Sequence, residues 1–446
     1  MVEKRFHVPG LERMPRPDMR ELQNGKLRAL VRRCYDSIPF YRGRMDAAGV
    51  RPEHIRTVDD LALLPLVDKS DLRTNYPFPL LSVSRSEIFR SSATSGTTGR
   101  PVITSYTRRD WFETLREQMG RVFVAAGVGS GDLLYNSLGY GLWIGGFAFE
   151  IGAEAAGAAI FPAGPGRSAA AVDELREIGA TVLGSTPSFA LYLLDVARAR
   201  GVDPQQDWQL RVGIVGGEPA SAAARGKIEA GMPAGFRFMD LYGTSETGGP
   251  NLGYMCLASR ERRLLHTMAD HYVLEVVDPE TGQRREPGQS GELVVTTLSR
   301  EANPMLRFRT HDLSALASEP YGCSCGRVAH PLFEMVTGRT DDALKVRGTL
   351  VFPSAIDDLL LTVPGVGGGW EIRLDKPRDQ LDMLTIVLEP DEQTWTQRDG
   401  VQRLAARIEE AVWARLRLRP RVQVVEPKSL PRFEGKAKRV VDMRNK

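Results

Sequence analysis

The stretch Ser-Ser-Ala-Thr-Ser-Gly-Thr-Thr-Gly-Arg-Pro-Val, running from Ser91 to Val102, concentrates hydroxyls on glycines. Successive backbone N–H groups in a Gly-rich turn form a concavity that binds anions, and small residues let phosphate oxygens approach. Ser95, Thr97 and Thr98, interleaved with Gly96 and Gly99, add side-chain donors. The pattern is not GxxxxGK[ST], because Arg100 and Pro101 follow Gly99, and GxGxxG after a strand is absent too. Composition alone leaves polyphosphate binding and an ordinary polar turn both open. A second group offers metal chemistry. Cys323 and Cys325 lie one residue apart in a Gly-bounded turn, with Cys256 and His266 upstream. Three thiolates and an imidazole make a closed tetrahedral zinc set, hence a structural site. Reduced buried thiols are the competing reading, and His330 or His271 could stand in for His266. Cys34, on a helical apolar face, reads as core.

These groups need a scaffold. A chain of 446 residues exceeds one ordinary core and predicts at least two domains. With 26% charged and 42% hydrophobic residues it reads as globular. A net charge of +3, with no basic stripe, argues against nucleic acid. The Gly-rich apolar stretch from Gly139 to Gly166 carries Glu150 and Glu154, which suits buried interior rather than a membrane helix. The N-terminus lacks a signal-peptide core, and four cysteines give no disulfide framework, so a reducing cytoplasm is the expected compartment. Residues from about Glu21 to Leu81 read as helices and loops. Beyond them helix and strand alternate: Pro187 opens a helix that Gly201 stops, and "LRVGIVGGEPA" reads as a buried strand. "HYVLEVVDPETGQRREPGQSGELVVTTLS" reads as two strands of an antiparallel subdomain. After "VTGRTDDALKVRG" the pattern restarts as β-β-α-β. The expectation is an α/β fold: a large domain over 1–340 with a β-rich subdomain, and a small, mobile α+β domain over 341–446.

Further segments recur in order: "YGTSETGG" (Tyr242–Gly249), "FRTHDL" (Phe308–Leu313), "GRTDDALKVRG" (Gly338–Gly348) and "EGKAKRVVD" (Glu434–Asp442). With the hydroxyl–glycine loop they resemble the adenylate-forming superfamily of acyl-CoA synthetases, adenylation domains and luciferases. Within it the chain is most similar to the phenylacetate–coenzyme A ligase-like family. The resemblance runs nearly end to end, through "IPFYRGRMDAAGV", "LPLVDKSDLRTNYPF", "GYGLWIGG", "GGEP" and "VFPSAID".

The resemblance implies roles. Ser95, Gly96, Thr97, Thr98 and Gly99 cradle the β- and γ-phosphates of ATP. Glu246 holds Mg²⁺, Thr244 lies near the α-phosphate, and Tyr242 and Gly243 near adenine and the acid. Gly217, Glu218 and Pro219 line the adenine site, and Asp312 takes the ribose hydroxyls. Arg339 reaches the nucleotide, Asp341 is the hinge, and Lys436 bridges α-phosphate and carboxylate during adenylation. Lys438 and Arg439 read as solvated charge, and His311 as a satisfied surface histidine. The acid pocket falls on Tyr135, Tyr140, Gly141, Trp143 and Gly146, with Phe147 and Phe149 nearby; flat apolar walls suit an aryl or arylacetic acid. The implied reaction makes acyl-AMP from acid and ATP, then a thioester. Coenzyme A is the expected acceptor, a carrier-protein thiol or another nucleophile the alternative. A homodimer is compatible with the chain, and a non-catalytic binding relative is the reading of another class.

Overall fold

The computed structural model describes residues 6–78, 80–94, 100–346, 349–375, 383–432 and 439–444. An eight-stranded sheet forms the centre. Its order is Leu332–Glu334, Leu264–Thr267, Gly249–Tyr254, Arg237–Thr244, Val212–Gly216, Val182–Ser185, Leu133–Asn136 and Ala159–Phe161. The run from Arg237–Thr244 to Ala159–Phe161 is parallel, and the strands at the other end are antiparallel. Parallel strands bury both faces, and alternate residues here feed two cores. Leu134, Val182, Ile214 and Met239 face one, with the helices Arg116–Ala125 and Gly145–Ala156. Tyr135, Leu183, Val215 and Phe238 face the other, with Ser168–Glu177 and Pro187–Ala199.

The helix Pro187–Ala199 starts where the sequence indicates. Thr186 caps it by accepting from the Phe189 N–H, Pro187 takes the first turn, and Gly201 turns the chain out with φ +71°. Such a cap contributes about 1 kcal/mol. The expected antiparallel subdomain is a four-stranded sheet in the order Tyr272–Val277, Gly291–Thr297, Phe308–Ser314 and Gly338–Arg339. The N-terminal helices Arg16–Ser37 and Pro39–Ala47 pack on it through a core that contains Cys34, Val67, Leu298 and Phe308.

A separate core gathers only residues from Leu344 onward. Its sheet runs Arg421–Val424, Met383–Pro390, Val366–Asp375, Val440–Asp442, covered by the helices Pro353–Thr362 and Gly400–Leu416. The short edge strand Val440–Asp442, parallel to its neighbour, adds to the β-β-α-β set expected from sequence. Among the described residues no helix is long and apolar enough to cross a membrane.

Candidate functional site

Two paired strands build the first part of the site. Asp312, on Phe308–Ser314, lies opposite Arg339 in register. Arg339 Nη1 donates to Asp312 Oδ1 at 2.7 Å, and the Tyr242 hydroxyl donates to Oδ2 at 2.6 Å. Burial and the Asp312 charge push the Tyr242 phenol well above its ordinary range, so it stays a donor. Arg339 also turns Nε and Nη2 onto Asp341, at 2.8 and 2.9 Å. Burial opposes the Arg339 charge, but the carboxylates of Asp312, Asp341 and Asp342 outweigh it and hold the guanidinium protonated.

Tyr242, Gly243 and Thr244 end the strand Arg237–Thr244. Gly243 leaves no room for a side chain: a Cβ there would sit 2.3 Å from the Gly249 carbonyl. In the following turn Glu246 is buried and its carboxylate pairs with Lys69 Nζ at 2.8 Å. Thr244 Oγ1 and Thr247 Oγ1 are 3.2 Å apart. Lys69 starts a short helix capped by Asp68, whose other partner is His311 Nε2 at 2.9 Å. His311 also meets Thr340 Oγ1 through Nδ1 at 3.1 Å, so it is satisfied but only partly exposed. Thr104 Oγ1 donates to the Ser245 carbonyl at 2.9 Å, which ties the hairpin Arg90–Ala93/Ile103–Tyr106 to the Glu246 turn. That hairpin carries Ser95, Gly96, Thr97, Thr98 and Gly99, which lie outside the described residues, as does Lys436. Lys69 is the residue that sequence reasoning missed. It lies within "LPLVDKSDLRTNYPF", but its pairing with Glu246 spans much of the chain and leaves no local signature.

On the other side of the site, Gly217 adopts φ +89°, a left-handed conformation that favours glycine. Glu218 Oε1 accepts from the Ser188 N–H at 2.6 Å at the start of helix Pro187–Ala199, and Pro219 completes the loop. The Trp143 ring lies against this loop. A Cβ on Gly217 would be 3.4 Å from the indole, and one on Gly145 would overlap it at 2.2 Å. Tyr140 stands edge-on to Phe147, centroids 5.1 Å apart, and its hydroxyl accepts from Asn136 Nδ2 at 2.8 Å. Gly146 leaves no room for a side chain, since a Cβ there would sit 2.6 Å from the Gly139 carbonyl oxygen, and Gly141 is exposed. Tyr135 requires correction. Strand alternation sends it to the sheet face opposite Trp143, where it stacks on Phe161 and donates to Glu174 Oε2 at 2.7 Å. Phe149 is likewise core, edge-on to Phe123. Arg439 is corrected as well: it is partly buried against Trp370 rather than solvated.

Cys256, His266, Cys323 and Cys325 converge, their ligand atoms all within 4.8 Å of one another. Zinc bonds of about 2.3 Å to sulfur and 2.0–2.1 Å to nitrogen imply tetrahedral edges near ~3.8 Å for S···S and ~3.6 Å for S···N. The corresponding distances are 3.7 Å for Cys256–Cys323, 3.6 Å for Cys256–His266 and 3.4 Å for Cys325–His266. His266 Nδ1 faces the His330 carbonyl at 3.2 Å, which leaves Nε2 for the sulfurs. The donor set fits zinc. His330 is committed elsewhere: Nδ1 accepts from Ala269 N–H and Nε2 donates to the Leu11 carbonyl, and burial pushes it down to about 4. His271 meets Glu117 at 2.6 Å. Glu117, Asp270 and His271 also cluster, but Arg121 already supplies the cation, donating to both Asp270 oxygens at 2.8 and 2.7 Å.

Residues 84–299 match the family of AMP-binding enzymes, and residues 348–444 match the AMP-binding enzyme C-terminal domain. A phenylacetate–coenzyme A ligase of Thermus thermophilus is 37% identical over 98% of this chain and 100% of its own length. The chain belongs to the phenylacetate–coenzyme A ligase family. It is therefore an AMP-forming, adenylate-forming enzyme, with the α/β architecture expected from sequence. The Escherichia coli member of this ligase family is 33% identical, covering 96% of this chain and 95% of its own. A 2-hydroxyisobutyryl-CoA ligase solved in the postadenylation state superposes with TM-score 0.90 at 28% identity, over 99% of this chain and 93% of that one. The same ligase in its thioesterification state gives 0.71 at 30% identity, over 98% and 92%. The chain therefore superposes more closely on that ligase in the first of these two states than in the second.

Proposed function

We propose that this enzyme activates an aryl or arylacetic acid with ATP and passes the acyl group to coenzyme A. One observation carries the reading: near-complete alignment with phenylacetate–coenzyme A ligases, in a chain whose Asp312, Tyr242, Arg339 and Glu246 stand in connected networks. A carboxylate oxygen of the acid attacks the α-phosphorus, pyrophosphate leaves, and acyl-AMP forms. The thiol sulfur then attacks the acyl carbonyl, AMP leaves and the thiol proton is lost. The ribose hydroxyls bond to the Asp312 oxygens, which Arg339 and Tyr242 hold in place. Gly217–Pro219 and Tyr242–Gly243 flank adenine, Thr244 the α-phosphate, and Ser95–Gly99 the outer phosphates. Glu246, a buried carboxylate already paired with a cation, suits Mg²⁺, which would neutralise phosphate charge. Lys69 stands at the same point and would reach the outer phosphates. Lys436 bridges α-phosphate and acid, where charge develops in the transition state. Residues 341–446 turn about Asp341 between the two steps. The Cys256/His266/Cys323/Cys325 set would hold a structural zinc, apart from the chemistry. Reduced cysteines fit a cytoplasmic setting.

Tyr140, Trp143 and Phe147 wall the acid pocket. A second reading, a small branched acid, draws on the Trp143 indole filling the space between Gly145 and Gly217. Acid-dependent exchange of labelled pyrophosphate into ATP tests both, with phenylacetate, benzoate and 2-hydroxyisobutyrate as probes. Exchange driven best by the aromatic acids is expected. Preference for the small acid would favour the second reading, and silence with all three would overturn the proposal.

A further inference from the structure

Arg90 is a cation that packs on rings. It opens the strand Arg90–Ala93, opposite Tyr106 in register. Its guanidinium carbon lies 3.6 Å from the centroid of the Phe147 ring and 4.6 Å from that of Trp111. The two rings meet edge-on with centroids 6.4 Å apart, and Arg90 fills the angle between them. Among the described residues its guanidinium meets these rings and no carboxylate. The negative faces of the two rings therefore take the place of a counter-ion.

The rings differ in freedom. Trp111 is only 5% exposed and stands edge-on to Tyr106 at 5.4 Å. It lies in the π-helical turn Asp110–Leu115, a widened form that is frequent at functional sites. Phe147 is partly exposed, and it follows a fixed backbone, since the Gly146 N–H donates to the Gly139 carbonyl at 3.0 Å. What remains adjustable is its side-chain rotamer. Arg90 covers one face of that ring, and Tyr140 meets it edge-on at 5.1 Å. The Ala93 N–H donates to the Leu142 carbonyl at 2.8 Å, which joins the Arg90 strand to the loop bearing Tyr140 and Trp143.

We propose that Arg90 is a specificity-determining residue: by clamping Phe147 between itself and Tyr140, it fixes the width of the acid pocket. The proposal rests on the aryl-acid reading above, in which Tyr140, Trp143 and Phe147 wall that pocket. Arg90 touches neither ATP nor the reacting carboxylate in this role and acts through the Phe147 ring. Without the guanidinium, Phe147 gains an empty space on one face and can turn into it. The pocket then widens, a flat one-ring acid loses contact, and a broader acid gains room.

The test reads acid-dependent pyrophosphate exchange in the full-length enzyme, with phenylacetate and the wider 2-naphthylacetate as probes. Arg90→Ala should raise KM for phenylacetate about 3- to 30-fold, the range that loss of a cation–π contact spans. Preference for phenylacetate over 2-naphthylacetate should fall, while kcat at saturating phenylacetate and KM for ATP stay near wild type. Arg90→Lys keeps a charge over the ring without the planar stack, and should restore part of the preference. An unchanged preference, or a loss of kcat equal for both acids, overturns the proposal. Should the alanine variant not fold, the lysine variant decides: a smaller shift in the same direction supports the clamp, and no shift refutes it. Wild-type enzyme silent with every acid defeats the activation reading, and one that favours 2-hydroxyisobutyrate defeats the aryl pocket. An active, aryl-preferring wild type matched by Arg90→Ala defeats the Arg90 clamp alone.

Discussion

Asp312→Asn isolates the proposed nucleotide-binding role most cleanly. Asp312 accepts from Arg339 on one oxygen and from Tyr242 on the other, both at hydrogen-bonding distance. Each carboxylate oxygen keeps a lone pair for a ribose hydroxyl. The amide retains one acceptor and turns an NH₂ toward groups that are themselves donors. The variant therefore loses a charge-assisted bond and one ribose contact. At about 1.5–3 kcal/mol for a hydrogen bond to a charged group, kcat/KM for ATP should fall about 10- to 150-fold at 1.36 kcal/mol per tenfold. Pyrophosphate exchange at varied ATP reads this directly. Repeating it with 2′-deoxy-ATP and 3′-deoxy-ATP tests the assignment itself. Wild type should be penalised by each missing hydroxyl, and Asp312→Asn should show little further loss from at least one. If the variant pays the full wild-type penalty for both, Asp312 is not the ribose ligand and the reasoning fails.

Asp240 is buried without a full set of partners, and burial raises its carboxyl to about 8 from 3.8. The folded state holds it protonated, so its contribution is present below about pH 4 and is lost as pH rises toward 8. Asp240→Asn should raise the melting temperature at pH 8 more than at pH 5, checked by calorimetry across pH; an equal shift at both would contradict the assignment. Enzyme prepared without added metal should contain one zinc per chain by mass spectrometry, and Cys325→Ser should lose the metal and melt earlier. Arg121→Met leaves the buried Asp270 without its guanidinium partner and with only His271 Nε2 nearby at 3.3 Å, which should cost up to about 3–5 kcal/mol in urea denaturation. Trp143→Leu should raise kcat/KM for bulky aryl acids relative to 2-hydroxyisobutyrate, measured by exchange.

Local chemistry made much of the scaffold legible. Thr186, Pro187 and Gly201 mark both ends of a helix because capping is a near-neighbour effect. The pairing of Tyr272–Val277 with Gly291–Thr297 follows from two apolar runs joined by turn residues. The Cys/His set was legible from residue types, since few other arrangements use three thiols and an imidazole. Tyr135 was not, because a parallel strand buried on both faces carries no inward–outward contrast to read. Arg439 was misread because its partners Trp370 and Asp357 come from distant segments, and a basic run looks solvated without them. The Lys69–Glu246 pair, bringing the N-terminal region to the central sheet, was hidden for the same reason.

The Cys/His quartet has a consequence for the chain as a polymer. A metal there would cross-link the stretch between Cys256 and Cys325 into a closed ring. The strands Tyr272–Val277, Gly291–Thr297 and Phe308–Ser314 lie inside it, so the segment presenting Asp312 would be tethered at both ends even when its hydrogen bonds open. Closure entropy grows only slowly with ring size, so insertions in the turns of this ring should be tolerated far better than loss of any one anchoring side chain.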